Sequence, residues 1–188
     1  MDNNRDYYLQ FEGQINWNSC REIEARCRQA ADESVRQIFL LMHSFGGSTQ
    51  DSIKLANFLM ELDTPVNTFN AGNVESAAAT IYVGGKNRIA HPSSRFFMHG
   101  PTFSLNCDIG EHSLEEKLTI IRSDRKRLTE LFAKRTKMKP RVLNSIFRDQ
   151  GKVLSAQEAL HVGLVHEVSP IQIPNEALRD SLIYKRDE

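Results

Sequence analysis

The sequence has few cysteines, no long apolar run and no surplus of charge of either sign. Its three cysteines, Cys20, Cys27 and Cys107, are odd in number and unpaired in spacing, which argues against a disulfide framework and favours a reducing compartment. No apolar run approaches the ~18 residues of a membrane span, and the polar N-terminus does not resemble a signal peptide. We therefore expect a cytoplasmic protein without a membrane partner.

The charge balance of the chain excludes a further class of function. There are 24 basic and 24 acidic residues, so the concentrated basic surface that nucleic-acid binding needs is not indicated. The histidines show no metal-ligand spacing, and we expect no metal and no cofactor. A near-neutral protein has little colloidal repulsion and tolerates self-association.

The order of apolar segments predicts an α/β fold. The continuous apolar run 37–42 is typical of a strand buried on both faces, as in a parallel sheet covered by helices. Strand and helix patterns alternate as far as position 98, which indicates right-handed crossovers and a mainly parallel sheet. The predicted strands lie at 7–11, 37–42, 66–71, 88–91 and 93–98, and the shorter predicted helices at 19–31, 53–62, 76–83, 140–147 and 155–162.

With 188 residues the chain fits one domain, which carries one unusually long helix. The segment 113–137 has apolar residues at steps of three and four, so it would be roughly 37 Å long. Such a helix projects from the domain or packs against another subunit. We expect a head at about 7–101 and 150–168, this helix as a handle, and a polar tail at 170–188.

Two segments point to nucleophilic chemistry. Ser76 heads a run of small residues at a predicted helix start, and His99 ends a predicted strand. Taken alone, Ser76 is an ordinary helix N-cap and His99 a structural histidine. Together they are the hydroxyl and imidazole of a serine hydrolase, with the amides of Ala77 and of Gly46 or Gly47 as oxyanion donors.

The combination of motifs resembles the proteolytic subunit of the Clp protease, within the larger group that shares the crotonase-type fold. The glycine turn of that family appears as Ser44-Phe45-Gly46-Gly47, and its nucleophile turn as the segment 72–78. The segment from Met98 to Pro101 resembles its histidine motif, and the segment 155–165 its last helix and strand.

This resemblance implies a spiral of βαβ units with a mainly parallel sheet and a protruding long helix. It also implies a serine endopeptidase with Ser76 as nucleophile, His99 as general base, and Gly46 and Ala77 as oxyanion donors. The family forms heptameric rings stacked in pairs, which enclose a chamber for peptide or unfolded protein. An AAA+ unfoldase driven by ATP feeds that chamber.

The third member of the triad is a prediction made by counting. The family places an aspartate in the turn before the helix at Ser155. Counting back from Ser155 puts that position at Gly151, and counting forward from the long helix puts it at Gln150. Asp149 is the nearest carboxylate, and we take it as the third member. Asp108, in the irregular segment after His99, is the second candidate.

Two departures from the family pattern bear on function. Phe45 replaces the proline of the glycine turn, and the segment before the first strand is short, so we expect no axial loop for an unfoldase. The chain would then be the ATP-independent core of a serine endopeptidase. The alternatives are a catalytically degenerate scaffold subunit of a mixed ring and an acyl-CoA enzyme, which does not need the Ser76–His99 pair.

Overall fold

The computed structural model describes residues 5–104, 108–149 and 151–184. Cys107 and Gln150 lie outside this part. The helices within it are α1 (Trp17–Asp32), α2 (Thr49–Glu61), α3 (Ala77–Val83), α4 (Glu111–Arg135), α5 (Pro140–Arg148) and α6 (Ala156–His161). The strands are β1 (Asp6–Glu12), β2 (Gln37–Ser44), β3 (Val66–Glu75), β4 (Arg88–Ala90), β5 (Arg95–Met98), β6 (Lys152–Ser155), β7 (Glu167–Val168) and β8 (Leu178–Ile183).

All the strands join one sheet that is parallel almost throughout. Its order is β6-β5-β3-β2-β1-β8, and β4 pairs with β3 on one side and β7 on the other. Only the β5–β6 pair is antiparallel among the described strands. The mainly parallel α/β fold predicted from the sequence is confirmed. Because the strands run the same way, the segments that follow β2, β3 and β5 meet at one edge of the sheet.

Strand β2 is the centre of the core. Leu40 and Met42 are fully buried in the main apolar cluster, whereas Leu41 faces a second cluster with Tyr8 and Phe69. The strand is therefore covered on both faces, as its unbroken apolar run predicts.

Helix α1 covers the sheet with its predicted apolar stripe but begins earlier than predicted. The stripe includes the buried thiols Cys20 and Cys27, and burial raises the pKa of each to about 12, which keeps both thiols protonated at neutral pH. The sequence suggests Asn18 or Ser19 as the N-cap. In the structure Asn16 is the N-cap, and Ser19 is its partner in a capping box, with each side chain accepting from the other's backbone amide at 3.0 Å.

Two edge strands have no counterpart in the predictions. Strand β6 lies where we expect a turn, and β8 lies in the predicted polar tail, where it pairs in parallel with β1. In β8 only Leu182 is buried, so its sequence carries too little apolar pattern to reveal a strand.

Helix α4 matches the predicted long helix within two residues at each end. Its first three turns are largely exposed, whereas Leu128 and Phe132 near its end are buried in the main cluster. No helix in the described ranges is long and apolar enough to cross a membrane.

A buried arginine joins the ends of several helices. Arg88 is 2% exposed, and its guanidinium donates to the carbonyl oxygens of Leu164 at 2.8 Å, Arg135 at 2.7 Å and Gly163 at 3.0 Å. Two of these carbonyls lie at or just beyond the C-terminal ends of α4 and α6, where the helix dipole favours a cation. Burial lowers the pKa of Arg88 to about 10, so the group is still charged at neutral pH.

Replacing Arg88 by methionine keeps most of the side-chain volume but leaves these buried carbonyls without a donor. We expect Arg88→Met to lower the free energy of unfolding by about 3 kcal/mol, measured by urea denaturation followed by circular dichroism. The control is Arg36→Met, which removes an exposed ion pair with Asp6 and should cost far less because solvent screens that pair. Equal losses in the two variants would contradict the assigned role of Arg88.

Candidate active site

Ser76 occupies the sharp turn between β3 and α3. Its φ of 53° and ψ of −124° lie outside the regions that residues other than glycine usually adopt. Its amide donates to the carbonyl oxygen of Phe97 at 2.7 Å, and its carbonyl accepts from the amide of Ala79 at 3.0 Å. Such a conformation costs of order 1–3 kcal/mol and is held only by surrounding structure. The turn places the Ser76 hydroxyl at the shared edge of the sheet.

The glycine turn after β2 packs directly against Ser76. Gly46 has a φ of +99°, and a Cβ on it would lie 2.5 Å from the Cβ of Ser76 and 3.0 Å from the amide nitrogen of Ala77. The turn is fastened to the chain before α1, because the amide of Ile15 donates to the Gly46 carbonyl at 2.8 Å. Glycine is therefore required at position 46 to let the two turns approach.

The two glycines of this turn differ in what their amides do. The Gly46 amide donates to Ser44 Oγ at 3.2 Å, whereas Gly47 lines the cavity beside Ser76. No described residue accepts a hydrogen bond from the Gly47 amide. The Ala77 amide is at the first position of α3, where backbone N–H groups have no partner within the helix. Of the two glycines weighed in the sequence, the one whose amide is available is Gly47.

His99 follows β5 and shares a cavity with Ser76. Strand β5 pairs with β3, with Phe97 opposite Glu75, so the residues after the two strands lie side by side. The cavity has a volume of about 340 Å³ and is lined by both Ser76 and His99. The structure therefore brings the predicted nucleophile and the predicted base to one site.

The orientation of His99 is set by its own backbone. Nδ1 lies 2.8 Å from the carbonyl oxygen of Gly100. A carbonyl oxygen only accepts, so this bond requires the proton on Nδ1 and leaves Nε2 free to take a proton. The ring also packs against Phe97, with 5.1 Å between the ring centroids.

Asp149, the predicted third member of the triad, makes its hydrogen bond with a different residue. Asp149 ends α5, is exposed, and accepts a hydrogen bond at Oδ2 from Ser145 Oγ at 2.8 Å. The structure describes both His99 and Asp149 and shows no hydrogen bond between them. The role of Asp149 as third member of the triad stays a prediction.

Gly151 lies beside His99, at the position where counting back from Ser155 predicts the family's aspartate. It has a φ of +77°, and a Cβ on it would lie 2.9 Å from the Cβ of His99 and 2.7 Å from the Met98 carbonyl oxygen. There is no room for a side chain in this conformation. The other candidate, Asp108, is exposed and is not one of the described residues that line the cavity.

The charge next to the nucleophile is neutralised. Glu75 pairs with Arg95, whose Nη2 donates to Glu75 Oε1 at 2.8 Å. The Arg95 guanidinium thus compensates the negative charge of Glu75 beside the position where an oxyanion would form. In the described ranges, no three His, Cys, Asp or Glu side chains are grouped in a way that could hold a metal ion.

One residue of the cavity was missed in the sequence. Asp124 of α4 is buried and lines the cavity together with Leu128 and Phe132. The signal was present, because Asp124 lies three residues after Ile121 and four before Leu128, on the apolar stripe of the long helix. An acidic residue on an apolar stripe marks a position that packing alone does not explain.

The chain is similar to known proteins over most of its length. The family model described as Clp protease matches residues 4–172. The chain is 31% identical over 140 residues to the ATP-dependent Clp protease proteolytic subunit of Pleurastrum terricola, which is 71% of this chain and 68% of that protein. It is 30% identical over 146 residues to proteolytic subunit 1 of Thermobifida fusca, covering 73% of this chain and 62% of that one.

The fold has a close match among solved structures. A mutant of ClpP1 from Listeria monocytogenes superposes with a TM-score of 0.77 at 22% identity, covering 89% of this chain and 92% of that one. The resemblance drawn from the sequence motifs is thereby confirmed. The chain belongs to the Clp protease family, as a member of its ClpP-like serine peptidase subunits.

Proposed function

We propose that this chain hydrolyses peptide bonds with Ser76 as nucleophile and His99 as general base. The observation that carries the proposal is that Ser76, held at a positive φ at the head of α3, lines the same cavity as His99. Strained backbone at a nucleophile positions the hydroxyl for attack.

The reaction follows from the groups that surround the hydroxyl. Nε2 of His99 takes the proton of Ser76 Oγ as the oxygen attacks the peptide carbonyl, and the amides of Gly47 and Ala77 stabilise the oxyanion. The imidazolium then protonates the leaving amine as the C–N bond breaks. Water attacks the acyl-enzyme with His99 again as base, which releases the acid and restores Ser76.

The Gly100 carbonyl takes over one part of the role of a triad carboxylate. It fixes the tautomer and direction of the His99 ring, but as a neutral group it stabilises the imidazolium less than a carboxylate would. We therefore expect slower hydrolysis than a complete triad gives. The predicted oxyanion donor Gly46 keeps a supporting role, since its lack of a side chain lets the turn approach Ser76.

Assembly into a ring is part of the proposal. The substrate is a peptide or an unfolded protein that enters a chamber formed by several copies of the chain. The exposed first half of α4 supports this, because Leu114 and Leu118 are about 40% exposed on one face of the helix. Hydrolysis itself consumes no ATP, so an AAA+ unfoldase would act as a separate partner. The cytoplasmic location remains a prediction from the sequence.

A catalytically degenerate scaffold subunit is the second candidate. The observation that favours it is Gly151, which packs against His99 where a carboxylate would complete the triad. Such a subunit would share a ring with active copies of a related chain and contribute only to the chamber wall.

Labelling of Ser76 separates the two candidates. We expect a fluorophosphonate probe to label the assembled wild-type protein, and Ser76→Ala to abolish labelling and lower peptide hydrolysis by at least about 10³-fold. The variant Ser48→Ala removes another serine of the same cavity and should still be labelled. A folded wild-type protein that takes no label would favour the scaffold.

Replacing Asp149 tests how His99 is oriented. Asp149 accepts a hydrogen bond from Ser145, and the Gly100 carbonyl accepts one from Nδ1 of His99. We therefore expect Asp149→Asn to lower kcat/KM by less than about tenfold. Loss of an orienting aspartate in a working triad lowers kcat by about 10⁴-fold. His99→Ala is the reference for loss of the base. A fall with Asp149→Asn as large as that of the reference would establish Asp149 as the third member.

A charge on the exposed face of α4 tests assembly. We expect Leu118→Glu to shift the protein to smaller species in native mass spectrometry, since a carboxylate would be buried in an apolar contact. Ser123→Glu adds the same charge on the opposite face of the helix and should leave the assembly intact. An unchanged mass for Leu118→Glu would show that this face is not an interface.

A further inference from the structure

A buried carboxylate lines the active-site cavity next to apolar residues of the same helix. The side chain of Asp124 is only 9% exposed. It lies one turn before Leu128 and two turns before Phe132 on α4, and all three line the cavity with Ser76. Burying a charge in apolar surroundings is unfavourable unless the charge has a partner.

The partner that Asp124 has within the chain satisfies only one of its oxygens. Arg127 Nη1 donates to Oδ1 at 3.1 Å, and the Arg127 side chain is 49% exposed. No hydrogen bond from the described residues reaches Oδ2. A carboxylate has about four acceptor positions, so this one keeps capacity for a further cationic donor.

The rest of the cavity suits the stem of a long side chain. Leu128, Phe132 and Phe147 give apolar walls, and the only titratable groups among the described lining residues are His99 and Asp124. Lysine and arginine combine an apolar stem with a cationic head, and arginine bonds a carboxylate in a planar geometry. An acidic side chain would be repelled, and an apolar one would leave Oδ2 desolvated without a partner.

We infer that Asp124 selects substrates with lysine or arginine on the amino side of the scissile bond. The inference rests on the proposed function, because attack by Ser76 places that side chain in the cavity beside it. Its stem packs on Leu128 and Phe132, and its cationic head binds Oδ2. Arg127 stays on Oδ1 at the outer side and limits the affinity through like-charge repulsion.

Hydrolysis of matched peptides tests the preference. Four fluorogenic peptides that differ only in the residue before the scissile bond, Arg, Lys, Leu or Glu, are compared by kcat/KM with the assembled wild-type protein. We expect Arg and Lys to be preferred over Leu, and Glu to be the poorest substrate. Asp124→Asn should lower kcat/KM for Arg and Lys by about 10- to 100-fold and raise it for Leu.

A control and a binding measurement keep the test independent of activity and folding. Arg127→Gln removes the internal partner but not the carboxylate, so it should keep or strengthen the preference for Arg and Lys. Binding of p-aminobenzamidine, followed by its fluorescence, needs no hydrolysis. We expect the wild type and Arg127→Gln to bind this cation at least tenfold more tightly than Asp124→Asn.

The outcomes separate this inference from the proposed function. Hydrolysis that favours Leu, unchanged by Asp124→Asn, would overturn the inference and leave the peptidase proposal standing. Amidine binding that depends on Asp124 without hydrolysis of any peptide would support the cationic pocket and overturn the proposed function. If Asp124→Asn does not fold, two other measurements decide: the peptide preference of the wild type and the amidine affinities of the wild type and Arg127→Gln. A wild type that prefers Leu, or weak amidine binding by both proteins, would overturn the inference.

Discussion

The hydrogen bond from the Ser76 amide to the Phe97 carbonyl, 2.7 Å long, is the contact on which the site depends. It joins the turn that carries the nucleophile to the strand that carries the base, and it helps to hold Ser76 at a φ of 53°. The parallel pairing of β3 with β5 fixes its direction, because Glu75 lies opposite Phe97. Gly46 closes the other side, where a side chain would collide with Ser76. The strained turn persists because packing on both sides leaves it no alternative.

The surroundings of His99 separate two roles that a triad carboxylate usually combines. The Gly100 carbonyl supplies the orientation of the ring, because it can only accept and so selects the tautomer with Nε2 free. It supplies no negative charge for the imidazolium that forms during attack. Gly151, at a φ of +77°, fills the neighbouring space with backbone. In the described structure the His99 imidazole is thus oriented by a neutral carbonyl group, without a hydrogen bond from a carboxylate.

The sequence predicts well the parts of the fold that bury continuous apolar runs. The apolar run of β2 and the apolar stripe of α4 are visible in the sequence of each segment alone, without knowledge of its neighbours in the fold. Both elements were predicted within a few positions. Strand β6 was not, because Lys152 and Val153 are exposed and its pairing depends on distant β5. The motifs predicted that Ser76 and His99 lie at one site, and both line the same cavity. The choice between Gly46 and Gly47 depends on which of their amides donates to Ser44 Oγ. A φ of +77° at Gly151 cannot be read from composition or spacing.

Helix α4 shows why one sequence stripe can serve two purposes. Its first turns expose Leu114 and Leu118, and its later turns bury Leu128 and Phe132 on the cavity wall. A helix of 25 residues is stiff over this length, so the exposed and buried halves keep a fixed register. Asp124 stands where the buried half begins. An apolar residue there would continue the stripe, whereas the buried carboxylate costs folding free energy that its ion pair with Arg127 offsets in part and that a cationic ligand on Oδ2 would offset further.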